Sequence, residues 1–368
     1  MFNAGFDSEA IREVPSEAQE QAAKISLDIE QEELREAQSL SKKITSLNAD
    51  YQKELRLIIG DRNLERYYEF RAPLREKIND LEVKATPTVK GQAEIEEAQS
   101  QAVGKSQQFL NEIGFDMVRA SKLREGYNAR LDEVVSQARG KLEEPNYLIL
   151  PEVMSMEELK ATPWVILDPA YPADSFAYSS NRSDEPDNPV FWRYLNRSSG
   201  QLGSYTRNRV SGADDSDYAY VRYQTAMRFW YRIPDTGLTE VFMRLQAIDT
   251  AYSGSFNDEW GWSDARCEQM CSAYLRVITP GPGAIRYGTI LNYVRTGTSA
   301  NWANQITAPG NERWANLFST SSYNAGTWLL LEVGTEDWNY FRSNDVSIVS
   351  TMNMNWFLKQ IYVRSTAA

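Results

Sequence analysis

The chain has 368 residues, 42% of them apolar, which is enough for two domains with real cores. Its formal charge is −12 and no run of lysines or arginines opposes that field, so a nucleic-acid partner is not expected. Histidine is absent, which excludes a Ser-His-Asp or Cys-His nucleophile and any His-ligated zinc site, while carboxylate pairs, Lys, Tyr and Arg stay available for chemistry.

Composition changes sharply along the chain. All ten tryptophans lie between Trp164 and Trp356, and only Lys160 and Lys359 follow Lys141. The spacing predicts a helical portion over 1–142, a Pro-containing connector over 143–163 and an aromatic-rich β portion over 164–368. Residues 1–10 hold no basic segment followed by an apolar run, so no cleaved secretory signal is expected. Cytoplasmic synthesis, then association with a particle or signal-independent export, is the matching expectation. No segment approaches the ~20 apolar residues that span a bilayer.

The first helix is expected to start near Pro15, with Ser16 as its N-cap. Leu40, Ile44, Leu47 and Tyr51 form a heptad-like seam that Leu55 and Ile58 extend, until Gly60 and Asp61 interrupt it. Leu64, Tyr67, Leu74, Ile78 and Leu81 continue in heptad spacing, and Pro73 should kink that helix or mark its first turn. After Thr86-Pro87-Thr88 a third helix is expected over 91–139, roughly 70 Å long at 1.5 Å per residue. Its stripe runs Ile95, Ala98, Ala102, Ser106, Phe109, Ile113, Met117, Ala120, an eleven-residue period that predicts a nearly straight assembly. Such a stripe must be buried, either in an antiparallel hairpin within the chain or between chains of a homo-oligomer.

Pro145, Pro151 and Pro163 mark the connector as extended, and the Pro-, Ser- and Asp-rich stretch 167–189 reads as loop. The strongest strand signal is 220–233. Val221, Tyr223, Thr225, Met227, Phe229, Tyr231 and Ile233 alternate with Tyr220, Arg222, Gln224, Ala226, Arg228, Trp230 and Arg232, which predicts a long half-buried strand. Pro234-Asp235-Thr236-Gly237 supplies a turn, and 240–248 reads as the returning strand. Further strands are expected over 273–278, 285–294, 327–333, 346–350 and 356–363. The pattern favours an antiparallel β-sandwich of the jelly-roll kind, behind an N-terminal long-helix coiled coil or bundle. No GxGxxG or P-loop appears, and no cofactor is expected.

Trp328-Leu329-Leu330-Leu331-Glu332-Val333 and Trp356-Phe357-Leu358-Lys359-Gln360-Ile361-Tyr362-Val363 resemble the last strands of carbohydrate-binding-module and galactose-binding-like jelly rolls. The resemblance is a strand pattern over about the final 150 residues. It implies a sugar-binding option, although a fold alone does not give function.

Two places suit a polar, planar or sugar-like ligand. One is the outward face of 220–233 and its neighbour, with Arg228 and Trp230, joined by Arg244 and Gln246; the bland alternative is that these arginines merely cover the sheet. The other is the loop 253–264, where Trp260 and Trp262 stand beside Asp258, Glu259 and Asp264. Those carboxylates lack the EF-hand order, so no metal is expected. The candidate ligand-binding set is Trp260, Trp262, Trp230, Arg228 and Arg244. Cys267 and Cys271 lack the CxxC spacing and read as ordinary thiols, though a disulfide is geometrically conceivable.

The leading expectation is a non-enzymatic structural and binding protein. A helical stalk oligomerises or docks, and a β-sandwich head contacts a glycan or protein surface, as in a fibre, spike or appendage. One rival is a toxin-like protein with membrane-active helices and a lectin-like head, which requires a long apolar helix or hairpin. Another is a carbohydrate-active enzyme built on a carboxylate pair.

Overall fold

The computed structural model describes residues 14–84, 89–139, 164–169, 172–183, 190–210, 217–258, 264–297, 300–305, 312–344 and 346–366. Long helices come first and two antiparallel sheets follow. The helices are α1 (Ser16–Ile59), α2 (Asp61–Lys84), α3 (Val89–Glu112) and α4 (Met117–Arg139). The strands are β1 (Val165–Leu167), β2 (Asp174–Ser183), β3 (Val190–Arg193), β4 (Gln201–Val210), β5 (Asp217–Arg232) and β6 (Gly237–Asp258), then β7 (Asp264–Thr279), β8 (Arg286–Gly297), β9 (Ala300–Gln305), β10 (Glu312–Tyr323), β11 (Trp328–Asn344) and β12 (Val346–Thr366).

Ser16 is the first helical residue. Pro15 holds the N-cap position and makes no side-chain cap bond. The helix expected over 91–139 is two helices, because Gly114 adopts φ 69° and ends α3. The stripe hid this break: Ile113 and Met117 lie on either side of it, and both pack in the cluster of Ile59, Leu64, Tyr67 and Leu110. Gly60, at φ 80°, breaks the opposite arm between α1 and α2. Both positions need the left-handed backbone that glycine adopts freely. Thus α1 runs antiparallel to α4, with Tyr51 and Tyr127 ring centroids 4.5 Å apart. The α2–α3 pair is held by Phe70 stacked on Phe109 at 4.6 Å. Ala98, Ala102, Ser106 and Ala120 of the apolar stripe are buried within the chain, and Phe109, Ile113 and Met117 are half-buried. Pro73 lies inside α2.

The sandwich consists of a seven-stranded sheet, order β10-β6-β12-β4-β3 with β1 on β12 and β9 on β6, and a five-stranded sheet, order β2-β5-β11-β7-β8. Between them lies a core that includes Met227, Phe229, Val241, Leu245, Leu275, Leu331, Met354 and Trp356. Each large apolar side chain of this kind contributes about 1.5–3 kcal/mol on burial. The expected strands over 346–350 and 356–363 are parts of the single long strand β12.

Several expectations are corrected. The stretches 220–233 and 240–248 do not form a hairpin: β5 pairs with β2 and β11, while β6 pairs with β10, β12 and β9, so the turn at 234–237 crosses between sheets. Part of the stretch read as loop, 174–183, is the edge strand β2. The polar face of β5 is covered except at its end, where Arg232 is exposed. Arg222, Gln224 and Arg228 are buried, because the helices pack on this sheet. Leu40, Ile44 and Tyr51 of α1 and Tyr127, Leu131 and Val135 of α4 join one cluster with Phe176, Tyr220, Tyr274, Trp338 and Tyr340 of the sheet. The molecule is thus layered as helices, five-stranded sheet, seven-stranded sheet. Among the described residues no helix is long and apolar enough to cross a membrane. The expected connector over 143–163 lies outside the described residues.

Candidate functional site

Two faces of the sandwich carry concentrated polar chemistry, and they differ in access. The first is the helix-covered face of the five-stranded sheet. Period-2 alternation puts Arg222, Gln224 and Arg228 of β5 on the same side as Glu332 and Glu336 of β11. Arg222 donates to Glu336 through Nε at 2.7 Å and Nη2 at 3.1 Å, and Tyr287 Oη donates to Glu336 Oε2 at 2.9 Å. Gln224 Nε2 donates to the same oxygen. Burial alone would raise the Glu336 carboxyl, but Arg222 and these donors outweigh it and hold it below its ordinary range.

A second knot centres on Glu332. It accepts from Arg228 Nε at 2.8 Å, Arg276 Nε at 2.9 Å and Tyr274 Oη at 3.1 Å. Both guanidiniums lie over the Phe176 ring, at 4.8 and 5.2 Å from its centroid. Arg276 then reaches the helices: its Nη1 donates to Glu33 Oε1 of α1 at 3.0 Å. On α4, Asp132 accepts from Arg342 Nε at 2.9 Å and Tyr340 Oη at 3.2 Å. Two helices are therefore ion-paired to one sheet face.

The second face is the outer surface of the seven-stranded sheet. Met352 and Met354 point into the core, so Thr351, Asn353 and Asn355 point outward. Registers then assemble a row across β3, β4, β12, β6 and β9: Trp192 opposite Tyr205, Tyr205 opposite Asn353, Asn353 opposite Ala251, Ala251 opposite Gln305. At ~4.8 Å per strand the row is about 19 Å long. Trp192 is 46% exposed and stacked on Tyr205, centroids 3.8 Å apart and planes 8° from parallel. Asn353 is oriented from two sides, since Tyr194 Oη donates to its Oδ1 at 2.8 Å and its Nδ2 donates to Asp249 Oδ2 at 3.0 Å. Gln201 Nε2 holds Asn355 Oδ1 at 2.8 Å. The next row brings Arg207, Thr351, Ser253 and Ala303 alongside. A flat aromatic platform thus continues into a field of fixed amides, hydroxyls and a carboxylate, the mixture that stacks and orients polyhydroxyl ligands.

The candidate residues fall in different places. Arg228 is buried and bound to Glu332. Trp230 is half-buried and packs with Ala22, Ile25 and Ile29 of α1. Arg244 is half-buried on the outer face of the other sheet, paired with Glu312, donating to Gln360 Oε1 at 3.2 Å and lying 5.1 Å over Trp314. Trp260 and Trp262 lie outside the described residues. The structure thus separates Arg228 and Trp230 from Arg244. Trp192, Tyr205 and Asn353 were not singled out by sequence. The one local signal was the short aromatic run Phe191-Trp192 near Tyr194. Cys267 and Cys271 are buried free thiols, and burial pushes the Cys267 thiol up to about 12.

No protein-family model matches this chain, and no curated protein is similar to it in sequence. Solved structures similar to part of it include a family 35 carbohydrate-binding module from Clostridium thermocellum, 10% identical over 50% of this chain and 98% of that one, TM-score 0.14. A family 11 module from the same organism, in complex with a β-1,3-1,4-mixed-linked tetrasaccharide, is 13% identical over 55% and 96% of the two chains, TM-score 0.16. A module of Cellvibrio mixtus lichenase 5A in complex with cellotriose is 9% identical over 49% and 95%, TM-score 0.14. At these TM-scores the likeness carries no argument about function.

Proposed function

We propose that this protein is a non-enzymatic structural and binding protein whose β-sandwich presents the outer face of its seven-stranded sheet to a glycan, in the manner of a fibre, spike or appendage component. The observation that carries this reading is the row from Trp192 to Gln305. Its exposed, stacked indole supplies an apolar platform, and Asn353 is held in orientation by Tyr194 and Asp249. A pyranose ring laid on Trp192 would meet amide and hydroxyl groups at strand spacing along the row. The helical half is the docking or oligomerising part of the same reading.

The test is a glycan array with the full chain. Trp192→Ala should abolish wild-type hits, a loss of about 2 kcal/mol or more, as expected for a central stacking residue. The melt should stay nearly unchanged, because Trp192 is half-exposed. The same array with Trp260→Ala, Trp262→Ala and Arg244→Ala tests the other proposed contacts. Loss with Trp230→Ala or Arg228→Ala, but not with Trp192→Ala, would move the site to the helix-covered face. No hits for the wild type would sink the glycan reading in favour of a protein partner.

A further inference from the structure

Between α1, α4 and the five-stranded sheet lies a cavity of about 250 Å³. This is smaller than the ~300–1,000 Å³ of drug-sized ligand sites, so any occupant is compact. Its α1 wall carries Glu33 and Glu36, and its sheet wall carries Tyr178, Tyr220 and Trp338. The Glu33 side chain is only 7% exposed. One of its oxygens accepts from Arg276, and the other, Oε2, is buried without a hydrogen-bond partner. A buried carboxylate oxygen left unmatched costs free energy until a donor reaches it.

The cations lining the cavity are already engaged. Arg222 is bound through two nitrogens to Glu336, and Lys43 donates to Gln137 on the exposed rim. The lining combines a carboxylate that has an unmatched oxygen with aromatic side chains, the chemistry that recognises an organic ammonium. An anion would meet Glu33 and Glu36 unfavourably. A neutral polyol would satisfy the acceptor but gain nothing from the rings as a cation does. Burial keeps the Glu33 carboxyl above its ordinary range even with Arg276 beside it, consistent with a charge short of compensation.

We propose that this cavity is a binding site for a small primary ammonium group, held by Glu33 and by the aromatic wall of Tyr178, Tyr220 and Trp338. It is independent of the sheet face assigned to glycans. The ammonium could belong to a free amine or to a lysine side chain.

The test is calorimetric titration of the full chain with ethanolamine and with Nα-acetyl-lysine, against glycerol as the uncharged control. Saturable binding of the amines alone is expected, and whichever binds more tightly names the source. Glu33→Gln should weaken it about tenfold or more. Because Glu33 also joins helix to sheet, Ala37→Leu gives a second reading. Ala37 lines the same cavity, is half-buried and has no polar side-chain group to lose, and leucine is well tolerated in a helix. Its bulk should weaken amine binding to a similar degree with a cooperative melt retained. Glycerol binding as well as the amines, amine binding unaffected by Ala37→Leu, or no saturable signal up to about 10 mM amine would each overturn the proposal.

Discussion

Glu33 and Arg276 are 243 residues apart and meet at 3.0 Å, with side chains 7% and 4% exposed. Arg276 is shared, since it also binds Glu332. One guanidinium therefore links the docking of α1 to the internal charge balance of the sheet. Arg276→Met should leave Glu33 buried without its cation and Glu332 with Arg228 alone, and cost about 3–5 kcal/mol. Glu33→Gln should cost less, because Arg276 keeps Glu332. Denaturant titration of the two variants checks the order. Equal costs would mean that Glu332 draws little from Arg276.

The sandwich core is assembled from residues of the strands, with Ile233 just past the end of β5, and from none of the helices. A fragment spanning 160–368 is therefore expected to fold with a cooperative melt. It should be less stable than the full chain, because the aromatic side chains Tyr220, Tyr274, Trp338 and Tyr340 lose their cover from α1 and α4. Circular dichroism and calorimetry of the fragment decide this. A broad, non-cooperative melt would show that the helices complete the fold and that the boundary near 160 is not a domain boundary.

Burial of the helical stripe within the chain leaves little apolar surface on α1. What is left includes Leu27 and Leu34, 54% and 55% exposed and seven residues apart on one face. If copies associate through the helical half, these two residues are expected to carry the contact. Light scattering should then give a multiple of the chain mass that falls to the monomer in a Leu27→Glu, Leu34→Glu double variant. A wild-type monomer at micromolar concentration would rule out association through this face.

The division into helices and sandwich was legible because each periodicity persists over long stretches, as in the seam of α1 and the alternation of β5. What α1 would cover was not legible. The polar face of β5 looks solvent-facing, and its burial is tolerable because Arg222 and Gln224 are matched by Glu336, and Arg228 by Glu332, across the pairing with β11. Strand β4 escaped notice for the opposite reason. Its inward residues Ser204, Thr206 and Asn208 are polar yet buried, each bonded to Asp337 or Asn339 across the sandwich, so no apolar alternation marks it. The Trp192 row depends on registers among positions 192, 205, 353, 251 and 305, which no local pattern encodes.

That buried polar layer yields a pH dependence. Asp337 is fully buried between the sheets. Ser204 Oγ donates to its Oδ2 at 2.5 Å, and Oδ1 has no partner. Burial pushes its carboxyl from 3.8 up to about 7, against the bonds from Ser204 and Cys271 and with the help of Glu336. The Cys271 thiol is itself driven well above its ordinary range by burial, then by Asp337, so it stays protonated. Below the unfolded value both states hold the Asp337 proton, and its contribution to stability is fully present. Between 3.8 and about 7 only the folded state holds it, so stability falls as pH rises, and above about 7 the loss is complete. The loss is on the order of 4 kcal/mol. Asp337→Asn should remove this slope and raise stability above neutral pH, since an amide is never asked to ionise. Denaturation midpoints of both proteins at pH 5 and pH 8 give the answer. Wild type should drop more between the two than the variant, and parallel slopes would show that Asp337 ionises in the folded chain without penalty.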